Sequence, residues 1–283
     1  MAAPQDQPGS VSRGAIGELV ASGRMDEAEK LLREALRKNP NSAEAHAQLG
    51  MLHYQLKRYP QAIEELGRAV QLDETNPEYA LSLVDVLLAA RRFPVAAEFL
   101  TAVKARFETL PAYQYNLGLA YYGARNFATA LQHFREALRL KPKLDLARYF
   151  EGNCLAAIGD LEGAQRAYRA ALEVAARKPD YLFALGKTLS LSGPEHDAET
   201  ISLLEKALAI KPEHSPSKLY LALAFERSNR LAEARDLLEA VARAHPDQIE
   251  SYVALARIYY RLKERGKGDE ASRAVKKLRE AQQ

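Results

Sequence analysis

The sequence predicts an all-α solenoid of stacked two-helix units, and three observations predict it. Gly50, Gly118, Gly152 and Gly186 fall 68, 34 and 34 residues apart, each inside an apolar run of helical pattern. Alanines seven residues apart recur on the same period, as Ala28 and Ala35, Ala62 and Ala69, Ala130 and Ala137, and Ala164 and Ala171. Prolines mark the boundaries between these segments. A period of 34 residues sustained along a chain signals units that bury their apolar faces against their neighbours.

The period sets unit starts near residues 9, 43, 77, 111, 145, 179, 215 and 249, eight units of two helices each. Residues 11–283 then form one solenoid domain after a flexible lead at 1–10. Within a unit, a first helix of about a dozen residues carries the glycine. Glycine in a helix interior costs roughly 1 kcal/mol relative to alanine, so its recurrence implies that the second helix of the same unit approaches too closely for a side chain. Val84 stands at the one intermediate position that lacks it.

Short turns follow, as at 57–59, 124–126, 158–160 and 228–230. The second helix then places its two alanines two turns apart on one face. Between them sits a larger apolar residue, Leu32, Leu66, Leu100, Phe134, Tyr168, Leu204 or Leu238, which fills the space the alanines leave. Pro40, Pro142, Pro212 and Pro246 close units, because proline lacks the N–H and restricts the residue before it. Pro77, Pro111 and Pro179 open first helices, where proline is tolerated.

Three departures stand out. The sixth unit is two residues longer, with the breakers Gly193 and Pro194 in the 189–200 segment, a surface insertion or a contact loop at a binding rim. Glu151 occupies a slot held by Leu49, Leu83, Leu117, Leu185, Leu221 and Leu255 elsewhere, so its carboxylate is expected to pair with a nearby Arg or tilt into solvent, with a role in gripping a ligand as the alternative. The last unit has Gly268 and Ser272 where alanine and a large apolar residue are usual, and its polar second helix suits a solvent-facing cap.

Little in the chain points to catalysis. Cys154 is the single cysteine, which excludes an internal disulfide framework and a multi-thiolate metal site. His46 and His53 are the one close helical pair, but seven residues of helix separate them by ~10 Å, too far for one metal to bridge. Both fall on the packing stripe. No phosphate-cradling glycine run, nucleophile elbow or HExxH motif occurs, so no enzyme activity, cofactor or metal is expected.

The net charge of +3 gives no general signal for nucleic acid. No apolar run approaches the ~18 residues of a membrane-spanning helix. The N-terminus lacks the charged start and apolar centre of a secretory signal. It also suits a mature end left after signal removal, so cytoplasmic and exported locations both stay open.

Leu117, Gly118, Tyr121, Ala130, Phe134, Ala137 and Pro142 stand at the signature spacing of tetratricopeptide repeats, and from residue 9 to about 282 the chain resembles that family. The resemblance implies a right-handed superhelix whose first helices line a concave surface, and a habit of binding proteins rather than a reaction. Positions 2, 5, 6, 9, 12 and 13 of each unit then face inward. They supply Tyr54, Tyr115, Asn116, Tyr122, Tyr149, Phe150, Asn153, Phe183, Lys187, Tyr220, Arg257 and Tyr260 as partner-binding candidates, with Met51, Leu81, Asp85, Leu119, Leu219 and Leu223 among them.

The carboxylate clamp by which some members grip chaperone tails is missing. Asn116 matches its middle position, but Leu81 and Asp85 precede it and Leu146 and Phe150 follow it. The expected partner is therefore an extended or helical protein segment held by aromatic contacts, with Asn116 and Asn153 bonding its backbone. Two other readings are the non-catalytic arm of a larger enzyme or of a secretion or envelope assembly, and an anionic polymer bound at the basic C-terminus. From Arg257 onward nine basic residues face four acidic ones.

Overall fold

A computed structural model describes residues 13–282. The expected flexible lead at 1–10 and the first unit's start near residue 9 lie outside the described residues. The chain divides into two compact halves, residues up to Pro142 and residues from Lys143, and no strand occurs among the described residues.

The N-terminal half pairs α1 (Arg13–Ala21) with α2 (Met25–Lys38), α3 (Ala43–Gln55) with α4 (Tyr59–Leu72), and α5 (Pro77–Ala89) with α6 (Phe93–Ala102) and the short α7 (Lys104–Phe107). It closes with α8 (Pro111–Gly123) and α9 (Phe127–Leu140). The C-terminal half pairs α10 (Asp145–Ala157) with α11 (Leu161–Val174) and α12 (Pro179–Ser192) with α13 (Asp197–Ile210). Its last two pairs are α14 (Ser215–Arg227) with α15 (Leu231–Ala244), and α16 (Ile249–Arg261) with α17 (Arg265–Ala281).

The local reasons for these boundaries are visible in the side chains and backbone. Ser42 and Asn76 accept hydrogen bonds from the Ala45 and Glu78 amides at 3.2 and 2.9 Å, capping α3 and α5. Proline takes the first position of α5, α8 and α12. First helices end on a left-handed residue, either Gly23 or Gly159 or, against the usual preference, Lys57, Arg91, Arg125, Asn229 or Lys263. At Lys57 the next amide, of Arg58, reaches back to the His53 carbonyl at 2.8 Å, the bond that closes a helix and reverses the chain.

The stripe of small and large residues builds the core. Ala28, Leu32, Ala62, Leu66, Ala69, Ala130, Phe134, Ala137, Ala164, Ala171, Leu204 and Leu238 are fully buried, each large side chain contributing about 1.5–3 kcal/mol. The signature glycines meet those large residues. A Cβ on Gly50 would lie 2.7 Å from Leu66, on Gly118 2.7 Å from Phe134, on Gly152 2.5 Å from Tyr168 and on Gly186 3.0 Å from Leu204. Each contact is with the second helix of the glycine's own unit, and its cause is the close approach read from the sequence. The unit with Val84 in place of glycine is the one whose second helix breaks, at Val103 between α6 and α7.

The insertion in the sixth unit folds as a 3-10 turn over Pro194–His196 after Gly193 at φ 148°. Arg227 of α14 clips it down. Its guanidinium donates to both carboxylate oxygens of Asp197 at 3.0 Å and to Ser190 Oγ at 2.9 Å, and Asp197 is buried.

Candidate functional site

In the N-terminal half the inward positions are largely occupied by the scaffold itself. Tyr54, half-buried, packs on Tyr59 with ring centroids 6.2 Å apart; Tyr115 packs on Phe134 at 5.8 Å and Tyr122 on Phe127 at 5.5 Å. In each pair the second ring belongs to the following helix of the same unit. Asn116 is buried, and its Nδ2 donates to Asp85 Oδ1 at 3.1 Å. Asp85 keeps a solvent-exposed edge, yet burial raises its carboxyl above the ordinary value, an effect the Asn116 amide partly offsets.

A mainly apolar cavity of about 290 Å³ opens between α1, α3 and α5, lined by Ile16, Val20, Gln48, Met51, Gln55 and Ser82 among others. Gln48, Met51, Gln55 and Ser82 hold inward positions of their units. Of the four, Met51 alone stands among the residues expected from the sequence, although Gln48, Gln55 and Ser82 hold equivalent positions.

The C-terminal half gathers its aromatic candidates. Tyr149 contacts Phe150 edge-on at 5.3 Å, stacks on Tyr181 at 4.7 Å and tilts against Tyr168 at 5.9 Å. Burial raises the Tyr149 hydroxyl's pKa, and the Asn153 side chain acts against that shift. Asn153 Oδ1 accepts from the Tyr168 hydroxyl at 2.8 Å. Both asparagines expected to bond a partner's backbone thus hold internal hydrogen bonds.

One helix on, Phe183 meets Tyr220 edge-on at 6.0 Å and the His214 ring at 4.9 Å. Lys187 lies one turn beyond Phe183, its Nζ 5.7 Å from the Tyr220 ring centre. Burial holds His214 below the usual imidazole range, so it is the neutral partner in this cluster.

The last two candidates face other work. Arg257 is locked to the buried Glu226 by two charge-assisted bonds, at 2.9 and 2.6 Å. Tyr260 turns onto α17, where its ring covers Gly268 and its hydroxyl donates to Asp269 at 2.7 Å.

The remaining reactive groups are quiet. Cys154 is buried, and burial, with Glu151 nearby, pushes its thiol up to about 12. Glu151 itself is half-buried. His53 sits in the core with its pKa lowered by burial, and His46 bonds Glu65 at 2.6 Å. Among the described residues no three His, Cys, Asp or Glu side chains are grouped to hold a metal. Among the described residues no helix is long and apolar enough to cross a membrane.

Sequence profiles described as Tetratricopeptide repeat match residues 19–80 and 198–258, and a second such profile matches residues 111–144, together more than half of the chain. The chain belongs to the tetratricopeptide repeat family. No curated protein matches it in sequence. Among solved structures it is similar to MamA 41-end from Desulfovibrio magneticus RS-1, 22% identical, with a TM-score of 0.53 over 58% of this chain and 93% of that one.

It is also similar to the APC/C hetero-tetramer Cut9-Hcn1, 14% identical, with a TM-score of 0.68 over 86% of this chain and 48% of that one. A third similar structure is the C-terminal part of a TPR repeat-containing protein from Cytophaga hutchinsonii, 15% identical, with a TM-score of 0.63 over 85% and 98%. At these identities the likeness is one of fold: an all-α tetratricopeptide solenoid.

Proposed function

We propose that this tetratricopeptide protein is a non-enzymatic interaction scaffold that holds a segment of a protein partner along its first helices. Within the C-terminal half the anchoring surface is the inner face of α10, α12 and α14, with Phe150, Phe183 and Tyr220 as aromatic anchors. Tyr149 and Asn153 support that surface. In the N-terminal half, Tyr54, Tyr115, Asn116 and Tyr122 shape the corresponding face, and Arg257 and Tyr260 close the C-terminal end.

The observation that carries this reading is the half-buried Phe183–Tyr220–His214 cluster. It presents aromatic area at first-helix positions outside the glycine, alanine and large-residue stripe, with Phe183 and Tyr220 braced against the apolar core of this half. Aromatic side chains in recessed surfaces are the usual anchors of interfaces, where truncating one costs about 2 kcal/mol or more.

Affinity capture from the native source, comparing the wild type with Phe150→Ala/Tyr220→Ala after both are shown to fold by circular dichroism, tests the proposal. The expected result is a set of proteins retained by the wild type and lost from the variant. Identical sets on both would make the inner aromatic face part of the scaffold and remove the proposal.

A further inference from the structure

The ninth residue of the first helix is where the inner face changes chemistry from unit to unit. Met51, Asp85, Leu119, Asn153, Lys187, Leu223 and Arg257 hold that position. Most of the polar ones have a partner from another helix. Asp85 takes the Asn116 amide, Asn153 takes the Tyr168 hydroxyl, and Arg257 is paired with Glu226.

Lys187 differs. It is half-buried, and among the described residues it makes neither an ion pair nor a hydrogen bond; its ammonium rests over the Tyr220 ring at 5.7 Å. Carboxylates are in the neighbourhood without reaching it. Glu250 acts on the Tyr220 hydroxyl and Asp180 on His214, and neither forms an ion pair with Lys187 among the described residues. A partly desolvated cation without a counter-charge gains more from an incoming anion than a fully hydrated surface lysine does.

Resting on the proposal that this face is the binding site, we infer that Lys187 selects a partner segment in which an aspartate or glutamate side chain stands beside an apolar anchor. The anchor seats on Phe183 and Tyr220, and the carboxylate meets the Lys187 ammonium. A single point charge suits a single side-chain carboxylate. A chain terminus or a phosphate calls for a set of converging donors, and Arg257, the other cation at a ninth position in this half, is already held by Glu226.

The test is selection of a random dodecapeptide library, displayed with its C-terminus blocked, on the full chain as wild type, Lys187→Met and Phe183→Ala/Tyr220→Ala. Methionine keeps the length and apolar stem of lysine, so this variant preserves the packing. The wild type should enrich Asp or Glu adjacent to an aromatic or aliphatic residue. A selected peptide labelled with fluorescein should bind about tenfold more weakly to Lys187→Met by anisotropy.

Changing the peptide's acid to its amide should cost a similar factor, and the two losses should not add, because they remove one contact. An absence of acidic bias, or the same bias on Lys187→Met, overturns the inference while dependence on Phe183 and Tyr220 leaves the binding face standing. Failure of the wild type to select any peptide, or selection unaffected by Phe183→Ala/Tyr220→Ala, overturns the face and the inference together.

Discussion

The two halves share one packing rule and differ at the points where that rule leaves a residue free. Residues 13–142 carry Asp85 at the ninth position of a first helix, supported by the buried Asn116, whereas residues 143–282 carry Lys187 there, over Tyr220. Each half also absorbs one departure from the period in its own way. In the first, Val84 replaces a packing glycine and the second helix of that unit breaks at Val103. In the second, two extra residues become a 3-10 turn fastened by Arg227 and Asp197. The contrast teaches that the alanine and large-residue stripe carries the architecture. Chemistry can vary at the ninth position because that side chain is not part of the stripe.

The strongest way to break the comparison is at the clip of the longer unit. Arg227→Ala leaves the buried Asp197 without its counter-charge, and we expect a loss of about 3 kcal/mol in urea unfolding. Hydrogen exchange should place the loss in the C-terminal half. A cost within experimental error would mean that the insertion holds its shape without the ion pair.

Next in size is Gly118→Leu, which drives a side chain into the Phe134 ring, already 2.7 Å from a bare Cβ. Overpacking of this kind costs about 1–3 kcal/mol, so the melting temperature should fall clearly. An unchanged melt would show that the close approach of α8 and α9 does not exist.

The smallest effect concerns the acidic side of the comparison. Burial raises the Asp85 pKa above 3.8, so its favourable contribution to stability is fully present below the unfolded value and is lost as pH rises through the folded one. Asp85→Asn avoids that loss and retains an oxygen to accept from Asn116. The variant should melt slightly higher than wild type at pH 7, and the difference should vanish as pH falls below about 4. A lower melt at pH 7 would mean that the charged hydrogen bond to Asn116 outweighs the burial.

Much of this protein was legible in one dimension. The 34-residue period, the glycines, the alanine pairs and the prolines determine where helices begin and which faces they bury, because each is a local constraint on backbone geometry or close approach. First helices accordingly begin at Ala43, Pro77, Pro111, Asp145, Pro179, Ser215 and Ile249, and the burial of Cys154 follows from the same pattern. The family resemblance adds which positions of a first helix should face inward, and the cavity-lining residues Gln48, Gln55 and Ser82 fall at such positions.

What the inward side chains do was decided only by the tertiary structure. Tyr54, Tyr122 and Tyr260 obey the same positional rule as Tyr220, yet they turn onto the second helices of their own units. Arg257 and Lys187 are both cations at a ninth position, but Glu226 is there to hold one, and among the described residues no carboxylate pairs with the other. Helical periodicity sets the direction in which a side chain leaves the backbone. Its rotamer and its partner depend on the helix packed beside it. For the three tyrosines that is the next helix of the unit, for Arg257 and Lys187 it is a first helix about 30 positions away, and the positional period encodes neither contact.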